Sequence, residues 1–193
     1  MDERTDPCSM NYPASYYQSQ QRDSQSSAFG IFPAILKRIR PLSVIDVGCG
    51  VGNFLYPFKM MGCDIVGVDG PWISSDLLLI PEADFLGYDL EESFPSLPHK
   101  YDLALCLETA EHLTFGRADA LVAYLSHASN NILFSAATPG QGGHCHYNEQ
   151  AHSFWYEKFA AHGFRADESI REDVNLPSVA SWYKNNLVWM EKL

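Results

Sequence analysis

The sequence predicts a single-domain α/β fold: a mostly parallel sheet of seven strands with helices on both faces. Three observations predict it. Short apolar runs recur along the chain, the segments between them are long enough for helical crossovers, and a glycine-rich turn joins the first run directly to a helix. A strand buried on both faces reads as a continuous apolar run, which is the pattern at 42–47, 64–68, 102–107 and 131–136.

Residues 1–28 are rich in Ser, Gln, Tyr, Asp and Pro, with Tyr12, Tyr16 and Tyr17 as bulky anchors. Such a composition buries little apolar surface, so the segment reads as a partly disordered extension, either a tail or a lid whose tyrosines close over a ligand. The domain proper runs over 29–193. A helix passes through Ile31, Ile35, Leu36 and Ile39 and is stopped by Pro41. The run 42–47 is a strand, 52–61 a helix, and 64–68 a strand parallel to the first that leads into Asp69, Gly70 and Pro71. Further strands are expected at 84–88, 102–107 and 131–136, with a helix over 117–129. Pro139 to Gly143 reads as a flexible loop, 149–162 as a helix, and the apolar stretches at 164–166 and 187–190 as two edge strands.

Lys and Arg number 13 against 24 Asp and Glu, a formal net charge of −11. Nucleic acid and anionic membrane surfaces need clustered positive charge, so neither is an expected partner. The five cysteines are odd in number, which suggests reduced thiols. The opening residues lack the basic-then-apolar pattern of a secretory signal, and no apolar run approaches the roughly 20 residues that span a bilayer. The expected protein is cytoplasmic and acts on a small-molecule substrate; the sequence assigns no oligomeric state.

The segment Val44-Ile45-Asp46-Val47-Gly48-Cys49-Gly50-Val51-Gly52-Asn53 sets glycines between a buried strand and a helix, where backbone can approach a ligand closely. A dinucleotide fingerprint would have glycine where Asn53 stands, and a phosphate loop would need a Gly-Lys-Ser/Thr that is missing. Both common phosphate readings therefore fail. Acids follow at the ends of the next two strands, Asp69 and Asp89.

The Asp-x-Gly-x-Gly-x-Gly form of Asp46 to Gly52 resembles motif I of the class I S-adenosylmethionine-dependent methyltransferases. Val66-Gly67-Val68-Asp69-Gly70-Pro71, Cys106 to Leu113, Phe134 to Gly143 and His146 to Gln150 are similar to a bacterial group of small methyltransferases of mostly unassigned substrate. The resemblance covers the chain from about residue 29 onward and implies a Rossmann-like fold with S-adenosylmethionine as cofactor. By that resemblance Asp46 would hold the amino group of the methionine part or order water around it. Gly48 and Gly50 would line the methionine and ribose. Asp69, with Gly70 beside it, would accept both ribose hydroxyls; Asp89 would accept from the adenine amino group while Leu90 offers its amide to the ring; Leu107 would contact the methionine portion.

The chemistry falls to residues after the fourth and fifth strands, because ligands of parallel α/β sheets lie beyond the strands' carboxyl ends. On a helix, Glu108, Glu111 and His112 would lie near one face and suit three ligands to one divalent metal. The same Glu-x-x-Glu-His arrangement is similar to the metal-binding segment of ubiquinone-pathway O-methyltransferases and of small-RNA 2′-O-methyltransferases. His112 is on this basis a metal ligand, a general base or a packed residue. His146 is expected as an acceptor-activating base or substrate contact, the resembling group having histidine there, and His144, His152 and His162 read as surface residues. Asn148, Glu149 and Gln150 could hold polar groups of a substrate, with Trp155 and Tyr156 either walling it in or packing in the core.

The implied reaction is methyl transfer to a hydroxyl or amine of a small molecule of secondary metabolism or sugar modification. Two alternatives stand beside it: cyclisation or aminobutyrate chemistry that releases methylthioadenosine, and a non-catalytic S-adenosylmethionine-binding module.

Overall fold

A computed structural model describes the backbone of residues 14–193 and the side chains from residue 22. Tyr12, and the side chains of Tyr16 and Tyr17, lie outside the described residues, and with them the tyrosine lid.

One seven-stranded sheet organises the chain. Its strands are β1 (Ser43–Val47), β2 (Asp64–Asp69), β3 (Phe85–Gly87), β4 (Leu103–Leu107), β5 (Asn131–Ser135), β6 (Phe164–Asp167) and β7 (Val188–Lys192), in the spatial order β3-β2-β1-β4-β5-β7-β6. All neighbours pair in parallel except β7, which runs antiparallel to both β5 and β6. The two edge strands expected near the end of the chain are thus one edge strand, β6, and one inserted strand. Val188, Trp189 and Met190 are buried on both faces of β7, as an interior strand requires.

Alternate residues of each strand feed two separate cores, which is why the strands read as unbroken apolar runs. Val44, Ile65, Leu103, Leu105 and Leu133 face one core, which α1 (Ala14–Arg38) covers with Ala28, Ile31, Ala34 and Ile35. Ile45, Val47, Ala104, Cys106 and Ile132 face the other, covered by α3 (Ala118–Ala128) with Leu121, Val122 and Leu125 and by α4 (His152–Ala161) with Trp155 and Phe159. A fully buried aromatic such as Trp155 contributes roughly 2–3 kcal/mol.

Helix α1 begins well before the periodic stretch at Phe29. Just before that stretch it makes polar contacts: Ser26 Oγ donates to the Ser178 carbonyl at 2.9 Å, and Ser27 Oγ accepts from the Ala180 amide at 3.0 Å. The end of α1 is pinned by Lys37 to Asp173 and Arg38 to Asp167, each at 2.6 Å. Helix α2 (Tyr56–Met60) is shorter than the expected 52–61, because turns occupy the residues after the glycines. Two short helices complete the chain, α5 (Ile170–Asp173) and α6 (Ser181–Asn186). Cys49, Cys63 and Cys106 are buried free thiols, as expected, whereas Cys145 is disulfide-bonded.

Strand β1 pairs β2 on one side and β4 on the other, so the chain reverses its direction across the sheet at this point. Loops leaving the carboxyl ends of β1 and β4 diverge there and open a crevice, the usual ligand position in such sheets.

Candidate active site

The crevice is a cleft of about 700 Å³, within the usual range of small-molecule sites. On its β1 side, Gly48, Gly50 and Gly52 have φ of +83°, +55° and +90°. A Cβ on Gly48 would lie 2.2 Å from the Thr109 side chain, so the turn can sit against the β4 loop only without one. A Cβ on Gly50 would meet nothing within 4 Å; that face looks into open space. The turn is held down by its own amides, Gly48 and Cys49 donating to the Val68 carbonyl at 2.8 and 3.2 Å.

Asp69 closes this wall. One carboxylate oxygen accepts from the Gly50 amide and the other from the Gly70 amide, both at 2.6 Å. Burial raises its carboxyl above the usual range, opposed by these two bonds. Each oxygen keeps a lone pair for a ligand hydroxyl. Gly70 lines the cleft beneath Trp72, whose ring lies 2.0 Å from where a Cβ would stand. Asp89 and Leu90 form the next corner, fixed by Arg117, whose Nε and Nη2 donate to the Leu90 carbonyl at 3.0 and 2.8 Å. Leu107 completes the floor.

Of the residues expected at the cofactor, Asp46 alone does not line the cleft. It lies behind the glycine turn, 2% exposed, where burial and then the charge of Asp69 push its carboxyl up to about 7. The alternation that sends Val47 into one core turns Asp46 inward as well, behind the residues that line the cleft.

The β4 side carries the titratable groups. The segment after Leu107 does not form the expected helix. Glu108 adopts φ +52°, a left-handed conformation that costs a non-glycine residue about 1–2 kcal/mol, and a single 3-10 turn follows over Ala110–His112. Glu108 turns its carboxylate toward Asn186 and Gln141. Its amide donates to the Ser135 carbonyl at 3.0 Å, and its carboxylate accepts from Asn186 Nδ2 at 3.1 and 3.3 Å and from Gln141 Nε2 at 3.1 Å.

The donor atoms that do come together, all within 4.8 Å of one another, belong to Glu111, His112 and His146. Of the expected metal set Glu108, Glu111 and His112, the last two converge among the described residues, and His146 joins them. One carboxyl and two imidazoles form a donor set that suits a divalent cation. Glu111 is wholly buried, and burial followed by the charge of Glu108 pushes its carboxyl well above the usual carboxylate range, opposed by the backbone amides of Glu111 and Ala137.

The two imidazoles meet edge to face, ring centroids 4.9 Å apart. His112 Nδ1 lies 3.3 Å from the Cys145 carbonyl, which can only accept, so Nδ1 carries the proton and Nε2 the lone pair. Burial, then His146, lowers His112 to about 4. His146 Nδ1 lies 2.9 Å from Glu149 Oε1. Glu149 also accepts from the Gly140 and Gly142 amides at 2.7 and 2.8 Å, and its carboxyl is lowered, first by the bond to His146. The loop's far end is tied back by the Glu111 carbonyl, which accepts from the Tyr147 and Asn148 amides.

The sequence's other expectations for this region fall away from the cleft. Trp155 is core, and Tyr156 donates its hydroxyl to Glu168 at 2.5 Å while accepting from Arg171. Asn148 is buried and bonded to Gln150, and His152 stacks on Tyr156. Glu149 serves His146 and does not line the cleft. The sequence reading missed Trp72, Ser24 and Tyr183, which line it, and Asn186, which orients Glu108. The i,i+3 spacing of His146 and Glu149 was a usable signal; Asn186, 78 residues from Glu108, offered none.

A family model described as a methyltransferase domain matches residues 20–173. The chain is 31% identical over 98 residues to a ubiquinone biosynthesis O-methyltransferase of Azorhizobium caulinodans, covering 48% of this chain and 38% of that one. It is likewise 31% identical over 100 residues to the protein of the same name from Bradyrhizobium, with the same coverage. The chain thus spans well under half the length of these curated relatives. Among solved structures it is similar to magnesium protoporphyrin IX methyltransferase from Synechocystis PCC 6803 with bound S-adenosylmethionine, at TM-score 0.64 and 16% identity over 95% of this chain and 86% of that one. A TehB-like methyltransferase from Corynebacterium glutamicum matches at 0.63 and 19% identity, over 94% and 99%. At these identities the structures speak to the fold.

Proposed function

Because the chain belongs to the methyltransferase-domain family, with the fold of class I S-adenosylmethionine-dependent methyltransferases, we propose that it transfers a methyl group from S-adenosylmethionine to a hydroxyl of a small molecule, or to an amine in the same position. The single observation that carries the reading is the His146–Glu149 pair at the cleft, beside His112. The cleft fits the cofactor: its volume suffices, Gly50 leaves open space beside the backbone, and Asp69 presents a carboxylate with lone pairs to spare. Bound there, S-adenosylmethionine supplies a methyl group already activated by its sulfonium.

What remains for the protein is to align the acceptor and take its proton. Glu149 accepts from Nδ1 of His146, which fixes the tautomer and leaves Nε2 as the base. His112 packs against His146 and stays neutral, adding no charge that would oppose protonation of its neighbour. The hydroxyl is favoured by the ubiquinone biosynthesis O-methyltransferase relatives, and a small-molecule substrate, such as one of secondary metabolism or sugar modification, accords with a cleft of ordinary small-molecule dimensions.

The test is to incubate purified protein with S-adenosylmethionine and a library of hydroxyl and amine acceptors. S-adenosylhomocysteine and a methylated product are expected. Release of methylthioadenosine would establish the cyclisation chemistry instead, and no consumption with any acceptor would leave a binding module. Chelator-treated protein should keep its turnover; loss restored by added divalent ion would move the chemistry from the base to the Glu111, His112 and His146 donor set.

A further inference from the structure

We propose that Glu108 is an ammonium-binding residue, its carboxylate holding a primary ammonium group inside the cleft. The inference rests on the methyltransferase reading only for which molecules enter the cleft. Glu108 lines it from the carboxyl end of β4. The residue is held at φ +52°, a conformation that a side-chain-bearing residue keeps only where its surroundings over-determine it, and such positions cluster at functional sites.

The surroundings do over-determine it. The Glu108 amide is bonded to both the carbonyl and the hydroxyl of Ser135, at 3.0 and 3.1 Å. Its carboxylate is aimed by the side-chain amides of Asn186 and Gln141, and those two are bonded to each other at 2.8 Å. These donors are neutral. They fix the direction of the carboxylate without balancing its charge, and among the described residues no Lys or Arg forms an ion pair with it. A half-buried carboxylate that is oriented but uncompensated selects for a cation.

The kind of cation follows from what stands nearby. Among the described residues the donor atoms that converge belong to Glu111, His112 and His146, whereas the Glu108 carboxylate is directed by the two amides. An ammonium has no coordination geometry to satisfy; it brings three N–H donors, which use the lone pairs that the two amides leave free. Asp46, the other carboxylate expected to meet an amino group, does not line the cleft.

Two molecules can bring this ammonium: the cofactor, through its methionine part, and an acceptor bearing an amine. Titration calorimetry on chelator-treated protein separates them. Wild type and Glu108→Gln are titrated with S-adenosylhomocysteine and with methylthioadenosine, which lacks the aminobutyrate arm. If the cofactor supplies the group, the substitution weakens S-adenosylhomocysteine about tenfold or more and leaves methylthioadenosine within about twofold, the loss expected for one charge-assisted contact. If the acceptor supplies it, both affinities hold, while kcat/KM falls about tenfold for amine-bearing acceptors and is spared for their uncharged counterparts. No change in either arm overturns the proposal. So does equal weakening of both nucleosides, which would mark Glu108 as a scaffold residue. A wild type that releases no S-adenosylhomocysteine from S-adenosylmethionine refutes the methyl-transfer reading separately and leaves the binding arm intact.

Discussion

Replacing Glu149 by Gln tests the base assignment most directly, because the residue touches His146 without lining the cleft. The carboxylate accepts three N–H groups, from His146 at 2.9 Å, Gly140 at 2.7 Å and Gly142 at 2.8 Å. When His146 takes the acceptor's proton, the bond between the two becomes one between opposite charges, worth roughly 1.5–3 kcal/mol more than nothing and about twice a neutral bond. Both side chains are largely shielded, at 12% and 19% exposure, so solvent screens little of this. Glutamine keeps one accepting oxygen and loses the charge. The expected result is a kcat reduced roughly 10- to 100-fold, with S-adenosylhomocysteine affinity unchanged, since no cofactor-facing residue has moved. Weakening the two loop bonds should lower stability by about 1 kcal/mol, or roughly 2–4 °C in the melting midpoint. Steady-state kinetics with calorimetry on the same preparations reads all three. A variant with kcat within twofold of wild type would refute the claim that Glu149 makes His146 the base, and a loss confined to KM would place Glu149 on the substrate instead.

Asp69→Ala should weaken S-adenosylhomocysteine binding at least about tenfold, since it removes the ligand contact and releases the Gly50 and Gly70 amides together; unchanged affinity by calorimetry would contradict its place at the ribose. Gly48→Ala forces a side chain into a left-handed turn and against Thr109, at a combined cost of about 2–5 kcal/mol, measurable by denaturant unfolding, and a loss under 0.5 kcal/mol would show that the β4 loop can yield. His112 is held at about 4 against an ordinary 6.5, so the unfolded chain protonates first as pH falls. Stability is therefore complete above about 6.5 and declines towards 4, by on the order of 3 kcal/mol, and His112→Gln should flatten that part of the profile. Asp46 has the opposite sense: its carboxyl is raised from 3.8 to about 7, so the native state loses stability as pH rises from about 4 and has lost it by about 7, and Asp46→Asn should be the more stable protein at pH 8 while binding S-adenosylhomocysteine as wild type does.

The sheet was legible because both of its faces are buried. Val44 to Val47 and Leu103 to Leu107 send alternate residues into two cores, and nothing but a doubly covered strand reads that way. The glycine wall of the cleft was legible for a related reason: Gly48, Gly50 and Asp69 are placed by backbone geometry and strand ends, which are local in sequence. The chemical wall was read less well. A left-handed Glu108 leaves no trace in composition, and a helix over 108–112 would have kept Glu108 beside Glu111 and His112, where the structure brings His146. Asn186 and Trp72 reach the site through tertiary packing, and the contacts of α1 just before Phe29 are made by single hydroxyls on Ser26 and Ser27 that carry no periodicity. The position of β7 was unreadable from Leu187 to Met190 alone, because an apolar run fits an edge and an interior slot equally well.

That inserted strand sets a constraint on biosynthesis. In the described sheet β6 has only β7 for a neighbour, and β7 is translated some twenty residues later. Until Val188 to Lys192 have emerged from the ribosome, Phe164–Asp167 has no ladder to join and the outer side of β5 is unpaired. The nascent chain can form the half that carries the glycine turn early, but the outer edge of β5 stays open until β7 is available. Chaperone engagement and premature clipping should both concentrate on that interval.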